Sequence, residues 1–263
     1  MADNSTNINI KKVIGVMSGK GGVGKSSMTT LIAKELVAQG HSVGIMDADI
    51  TGPSIPRLLG VKGRAMSNDG KTIIPLESKE GIKVMSLNLL LDNEEDPVIW
   101  RGPVIGNMVN SFWTDVIWGK LDYLLIDMPP GTGDVALTVM QSLPVNGVVM
   151  VSMPQDLISM IVAKAVNMTK KLNVNVLGVI ENMSYIVCPD CGKKIRLVQD
   201  GGTDKFLKEL NLRLLGELPM MTSISNISSN DGVVEDPEVK KIMSHVVEGI
   251  KEELGKDKTI LKF

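Results

Sequence analysis

The sequence predicts an α/β protein: a doubly wound, mainly parallel sheet flanked by helices. Three observations predict it. Short aliphatic and β-branched runs recur without polar alternation, as in strands buried on both faces. Longer stretches at helical spacing separate them, as crossover helices do. One strand–helix junction carries a glycine-rich loop. With 263 residues and 43% hydrophobic content, the chain can bury the core of one large domain.

The first buried strand is VIGVMS (13–18). KSSMTTLIAKELVAQ (25–39) follows as a helix, with Gly40 where a C-cap glycine belongs. SVGIMD (42–47) is the next strand. Asp69-Gly70 within SNDGKTIIP marks a turn and predicts a small hairpin. Further strands are expected at 82–87, 121–127, 147–153, 174–181 and 212–218, and helices at 104–118, 134–143, 156–172, 203–210 and 238–254. This even texture predicts a single phosphate-loop domain over residues 11–254, with a cysteine-bearing loop at 183–200. The polar ends, 1–10 and 255–263, are expected to be flexible.

Composition narrows the function. A net charge of −2 and a pI near 5.8 argue against a constitutive nucleic-acid binder. No apolar run reaches membrane-spanning length, and the polar start lacks the apolar core of a signal peptide. Neither nucleic acid nor membrane is therefore expected as a partner. Only two cysteines occur, both in one short motif, which disfavours a disulfide framework and points to a reducing, cytoplasmic compartment. The 17 methionines are expected to fill core gaps.

Gly19 to Ser26 match G-x-x-x-x-G-K-[ST] between a strand and a helix. In such a loop, through Gly19, Lys20, Gly21, Gly22, Val23, Gly24, Lys25, Ser26 and Ser27, backbone N–H groups turn inward around phosphates. The helix that follows adds its positive end. Lys25 should reach the β- and γ-phosphates of ATP, and the Ser26 hydroxyl should ligate Mg²⁺. Phosphoryl transfer also needs carboxylates. Asp127 ends the strand LDYLLID and fits the metal side; Asp49 fits the group that orients the attacking water; Asp47 serves either metal or structure.

Lys20 is not required for phosphate cradling. It resembles the signature lysine of the deviant Walker A ATPases, K-G-G-x-G-K-[ST]. In that class the lysine crosses a dimer interface and neutralises transition-state charge on the other subunit's phosphates. The resemblance implies catalysis by Lys20, Lys25 and Asp49 in an ATP-sandwiched homodimer.

Cys188 and Cys191 form a C-x-x-C. Such a pair is a redox dithiol, half a zinc site or half an iron–sulfur site. The other candidate ligands, His41 and His245, are distant in sequence and fit structural roles. One chain therefore cannot complete a four-thiolate site, whereas a two-fold symmetric dimer places two pairs on its axis. Bridging Zn²⁺ stays open as the alternative to a cluster.

The segments GKGGVGKSS, DADITGPSIP, WRGPVI, LDYLLIDMPPGTGDVALT, MPQD, VLGVIENMSYIVCPDCG and LLGELPM span residues 13–221. Together they resemble the Mrp/ApbC-type iron–sulfur carrier ATPases. The resemblance implies a homodimer that holds a labile [4Fe–4S] cluster on Cys188 and Cys191, hydrolyses ATP slowly and passes the cluster to apo-proteins. It also implies adenine contacts from Asn182 and the backbone around Pro219. Rival readings are a partitioning or positioning ATPase, a nitrogenase-reductase-like electron donor and a zinc-bridged ATPase dimer. The first of these needs a basic surface or a membrane helix. The segment 238–254 has an apolar stripe but mixes lysine with glutamate on its polar face, which favours packing on the domain.

Overall fold

The structure, a computed structural model, describes residues 8–50, 52–67, 71–91, 102–157, 160–196, 198, 203–221, 224 and 236–256. Strand β1 (Ile8–Ser18) leads into helix α1 (Lys25–Ala38) and β2 (Val43–Asp47). Next come α2 (Ile55–Leu58), β3 (Leu76–Glu77), β4 (Lys83–Met85), α3 (Gly102–Thr114) and β5 (Gly119–Asp127). The chain continues through α4 (Asp134–Ser142), β6 (Gly147–Ser152), α5 (Pro154–Leu157), α6 (Met160–Lys171) and β7 (Val176–Val187). It closes with β8 (Lys194–Arg196), α7 (Thr203–Leu210), β9 (Leu214–Pro219) and α8 (Pro237–Gly255).

Among the described residues the strands form one sheet in the order β3-β4-β2-β5-β1-β6-β7-β8, with β9 also paired to β7. All pairings are parallel except β3 with β4 and β7 with β8. The mainly parallel, doubly wound sheet predicted from the buried runs is thus present.

Alternation along each strand feeds two cores. Ile14, Val16, Ile45, Leu125 and Val149 face a layer built by α1, α2 and α8. Val13, Met17, Met46, Ile126 and Met150 face the opposite layer of α3, α4, α6 and α7. These side chains are essentially inaccessible. Each fully buried aliphatic residue stabilises the fold by about 1.5–3 kcal/mol over an exposed one. The methionines on β1, β2 and β6 are core fillers, as their number suggested.

Several boundaries differ from the sequence reading. β1 begins at Ile8, and Ile8, Asn9 and Ile10 pair with Gly119, Lys120 and Leu121. The sheet therefore reaches into the segment 1–10 that was expected to be flexible. The helix expected at 104–118 stops at Thr114, because the chain there bridges to Ile73 instead: Ile73 N–H donates to the Asp115 carbonyl and Ile117 N–H to the Ile73 carbonyl. The helix expected at 156–172 is two helices, α5 and α6. The expected hairpin has its antiparallel bridge between Met66 and Ile74, while its turn at Asp69-Gly70 lies outside the described residues.

The change that matters for function is at β7. Expected to end at 181, it runs on to Val187 and folds back into β8. The 183–200 segment thus contains a β-hairpin whose turn holds both cysteines. α8 packs its Val239, Met243, Val246 and Ile250 into the core, as the mixed-charge polar face predicted.

Candidate functional site

The carboxyl ends of β1, β2 and β5 meet at one edge, where open α/β sheets bind ligands. Val16 lies opposite Asp127 in the β1–β5 register, and Asp47 lies opposite Asp127 in the β2–β5 register. The loop from Gly19 to Gly24 rises between these ends. Gly24 precedes α1 with φ 83, and a Cβ there would fall 2.3 Å from Asn182 Nδ2. Both the backbone conformation and the close approach require glycine. No side chain caps α1 and its first turn contains no acid. Its leading N–H groups and the positive end of its dipole are thus directed at an anion. Gly131 N–H donates to the Ser18 carbonyl over 2.8 Å and draws the Pro129–Pro130–Gly131 turn against the loop. The result is a cleft of about 310 Å³ lined by Lys20, Gly21, Lys25, Ser26, Asp49 and Pro130, among others.

Within the cleft the predicted residues form one network. Lys25, only 7% exposed, places Nζ 2.7 Å from Asp127 Oδ2 and 3.6 Å from Asp49 Oδ2. Ser26 Oγ donates to the same Asp127 oxygen over 2.6 Å. The other Asp127 oxygen accepts from Thr29 Oγ1 over 2.7 Å. Asp127 is thereby oriented by three donors from the first turn of α1. Thr29 escaped the sequence reading. Its signal was its place four residues after Lys25, on the same helical face.

Asp47, expected to serve metal or structure, is engaged within the fold. It is fully buried, and Oδ2 accepts from the backbone N–H of Ser54 and Ile55 and from Ser86 Oγ. These contacts hold the start of α2. Burial, and next the charge of Asp127, push its carboxyl up to about 8, against the opposing pull of Lys25 and the Ile55 N–H. Two adjacent buried carboxylates do not both ionise cheaply, which is why the charge of Asp127 adds to the rise.

Lys20 is exposed at the mouth of the cleft, its carbonyl held by Ser18 Oγ over 2.9 Å. Asn182 is buried on β7 and donates Nδ2 to the Val23 carbonyl over 2.9 Å. Its Oδ1 is buried with no hydrogen-bond partner among the described residues. Pro219 ends β9, buried and paired with Tyr185 of β7.

The cysteines sit elsewhere on that strand. Cys188 is six residues beyond Asn182, roughly 20 Å along an extended chain. Cys188 N–H donates to the Lys193 carbonyl and Gly192 N–H to the Cys188 carbonyl, closing the turn. Gly192 has φ 69, the left-handed conformation that lets the chain reverse here. Cys188 is half-buried and Cys191 exposed, and both are free thiols. Hydrogen bonds from the backbone N–H groups of Cys191 and Asp190 lower the Cys188 pKa below the ordinary thiol value. No group of three or more His, Cys, Asp or Glu with metal-binding geometry occurs among the described residues. The hairpin therefore presents half of a four-thiolate set. His41 packs edge-on against Tyr123, a structural role, as expected.

Comparison with known proteins matches this arrangement. The family model described as NUBPL iron-transfer P-loop NTPase fits residues 9–254. An iron–sulfur cluster carrier protein of Clostridium perfringens is 48% identical over 249 residues, covering 92% of this chain and 87% of that one. The solved structure of a nucleotide-binding protein from Archaeoglobus fulgidus, in complex with ADP, superposes with a TM-score of 0.77 at 42% identity, covering 88% of this chain and 91% of the other. The cell-division ATPase MinD of Pyrococcus furiosus shares the fold at a TM-score of 0.66 and 21% identity, over 92% of this chain and 99% of its own. No helix among the described residues is long and apolar enough to cross a membrane.

Proposed function

The chain belongs to the NUBPL iron-transfer P-loop NTPase family, and from that premise we propose that it is a homodimeric carrier. It binds and hydrolyses ATP, holds a [4Fe–4S] cluster between its two Cys188–Cys191 pairs, and passes the cluster to apo-proteins in the cytoplasm. The observation that carries this reading is the pairing of a complete phosphate cleft with a hairpin that offers two thiols and, among the described residues, no third ligand.

The chain's own residues suit the nucleotide. Loop N–H groups and the start of α1 take the phosphates, Lys25 neutralises them, and the orphan Oδ1 of Asn182, with the backbone near Pro219, takes the adenine amino edge. Ser26 Oγ and Asp127, hard oxygen donors 2.6 Å apart, fit Mg²⁺, which would offset phosphate charge when bound. Asp49, beside Lys25 and open to the cleft, orients the attacking water. Lys20 reaches across to the partner copy's phosphates and neutralises transition-state charge there. The cluster is cargo. Two thiolates from each copy complete its four-sulfur ligation, and a low Cys188 pKa favours the thiolate form that binds iron.

The test is anaerobic reconstitution with iron and sulfide, followed by iron and acid-labile sulfide assays at known oligomeric state. A dimer with about two irons and two sulfides per protomer is expected, lost in Cys188→Ala and Cys191→Ala while ADP binding persists. Full iron retention in those variants refutes the ligand assignment, and stoichiometric zinc without sulfide replaces the cluster with a metal bridge.

A further inference from the structure

The cysteine hairpin needs an anchor. β8 is three residues long, all exposed, and pairs with β7 alone among the described residues. A two-stranded ribbon of that size does not hold a fixed pose by itself in water. Side chains fix its angle to the body at two places: Arg196 ties the end of β8 to Glu217 of β9 over 2.7 and 3.2 Å, and a second set ties its start to α8.

Tyr185, three residues before Cys188, is 3% exposed and occupies the inner face of the hairpin. Lys194, three residues after Cys191, lies over its ring with Nζ 4.3 Å from the centroid and donates to its hydroxyl over 3.0 Å. The same ammonium is 3.1 Å from Glu238 Oε1, and the Tyr185 hydroxyl donates to that oxygen over 3.2 Å. Glu238 stands on a rigid post. It is in the first turn of α8, whose start is capped by Asp236 Oδ1 on the N–H groups of Glu238 and Val239. A carboxylate there also gains from the helix dipole. The three groups line one wall of a groove of about 390 Å³ between the hairpin and α8.

We propose that Tyr185, Lys194 and Glu238 form a clasp between α8 and the cysteine hairpin, and that Lys194 and Glu238 are positioning residues for the cargo thiols. They touch neither sulfur. They set the direction in which the two thiolates point, and so how firmly the cluster is held. Lys194 and Glu238 are 58% and 40% exposed, so their ion pair contributes little to global stability. That separation suits a device that tunes one hairpin without governing the fold. The cluster arm of the proposal rests on the carrier reading above; the geometric arm does not.

The experiment compares wild type with Lys194→Met, Glu238→Gln and Lys194→Arg. In the metal-free protein, hydrogen exchange across residues 185–196 and the alkylation rates of both cysteines are measured. Lys194→Met and Glu238→Gln should each speed exchange and alter the Cys188-to-Cys191 alkylation ratio, with ADP affinity and thermal midpoint unchanged. Lys194→Arg, which keeps a cation over the Tyr185 ring and a donor to its hydroxyl and to Glu238, should restore both readouts. In the reconstituted protein, release of iron to a chelator should be severalfold faster in Lys194→Met than in wild type. Wild-type exchange and alkylation in both single variants overturn the clasp, as does a loss of ADP affinity in parallel. If wild type takes up no iron and sulfide, the carrier reading fails, while the metal-free measurements still decide the clasp.

Discussion

Asn182, on the strand that leads to Cys188, donates its side-chain amide to the Val23 carbonyl inside the phosphate loop over 2.9 Å. One residue thus staples the loop from behind while its buried Oδ1 has no partner among the described residues. Asn182→Ala leaves the Val23 carbonyl without this donor, at a cost of about 1–3 kcal/mol for a buried acceptor. Thermal unfolding should show a lower midpoint in the variant. With the adenine contact proposed for Asn182 removed, the rise in midpoint on adding ADP should also shrink. A variant that keeps the full ADP-induced rise sinks the adenine role and leaves only the staple.

Asp47 makes stability depend on pH in an unusual direction. Its folded-state carboxyl is pushed up to about 8 by burial and by Asp127, against 3.8 as the ordinary value. Between those values the folded chain holds a proton that the unfolded chain has released. Stability from this group is therefore full below about pH 4 and falls as pH rises toward 8, by roughly 1 kcal/mol per pH unit. Asp122, Glu80 and Glu252 have lowered pKa values, so their contributions change only on the acid side of that window. Asp47→Asn keeps an acceptor for Ser54 and Ile55 but has no proton to lose. Denaturant unfolding at pH 5, 6.5 and 8 should show a decline in wild type and a nearly flat profile in Asp47→Asn.

Asp127 balances Lys25 in a site that is nearly closed to water, at 0% and 7% exposure. Asp127→Asn leaves that ammonium with Asp49 alone, 3.6 Å away. Breaking a buried pair from one side costs about 3 kcal/mol or more. Lys25→Met/Asp127→Asn removes both charges and should lose less than the sum of the two single changes, as measured by urea unfolding. Additive losses would mean that the two groups do not share a network.

Much of this was legible in the residues because it is local. The phosphate loop declares itself by spacing, and strands buried on both faces by uninterrupted apolar runs such as VIGVMS. Asp127 was legible because it ends such a run. What escaped notice depends on partners distant in sequence. Thr29 reads as an ordinary helix threonine until Asp127 arrives from 98 residues away. The extension of β7 to Val187 was hidden because the backbone twists at Met183, at φ 54, and the register with β9 shifts there. Neither leaves a trace in apolar periodicity. Tyr185, Lys194 and Glu238 look like ordinary exposed polar residues until α8 packs beside the hairpin. The start of β1 at Ile8 was missed because polar Asn9 and Lys11 alternate with its apolar residues.

Cys188 should react as a thiolate at lower pH than an ordinary cysteine. The cause is backbone N–H donation from Cys191 and Asp190, which survives replacement of the Cys191 side chain. In Cys191→Ala, the iodoacetamide rate at Cys188 plotted against pH should have its midpoint below the ordinary thiol value. In Gly192→Val, whose residue 192 cannot easily hold φ 69, the turn should reopen and the midpoint should return upward. A Cys188 midpoint at the ordinary value in Cys191→Ala would show that the turn does not present these N–H groups to sulfur in solution.

Lys20 separates binding from hydrolysis. It is exposed at the cleft mouth, whereas Lys25 inside already supplies the buried cation, so phosphate affinity within one copy does not depend on Lys20. In the dimer proposed above its contribution goes to the transition state on the partner copy, the task of an arginine finger, worth about a thousandfold or more in turnover. Lys20→Ala should therefore keep ADP affinity within a small factor and lose nearly all ATP hydrolysis. Mixing supplies the decisive arm. Adding Lys20→Ala to a variant that cannot bind nucleotide, such as Gly24→Val, should restore part of the activity. In the mixed dimer the Lys20→Ala copy keeps an intact phosphate loop and the other copy supplies the missing lysine. Activity that never recovers on mixing, although dimers form, would place Lys20 in its own cleft and remove the need for a partner in hydrolysis.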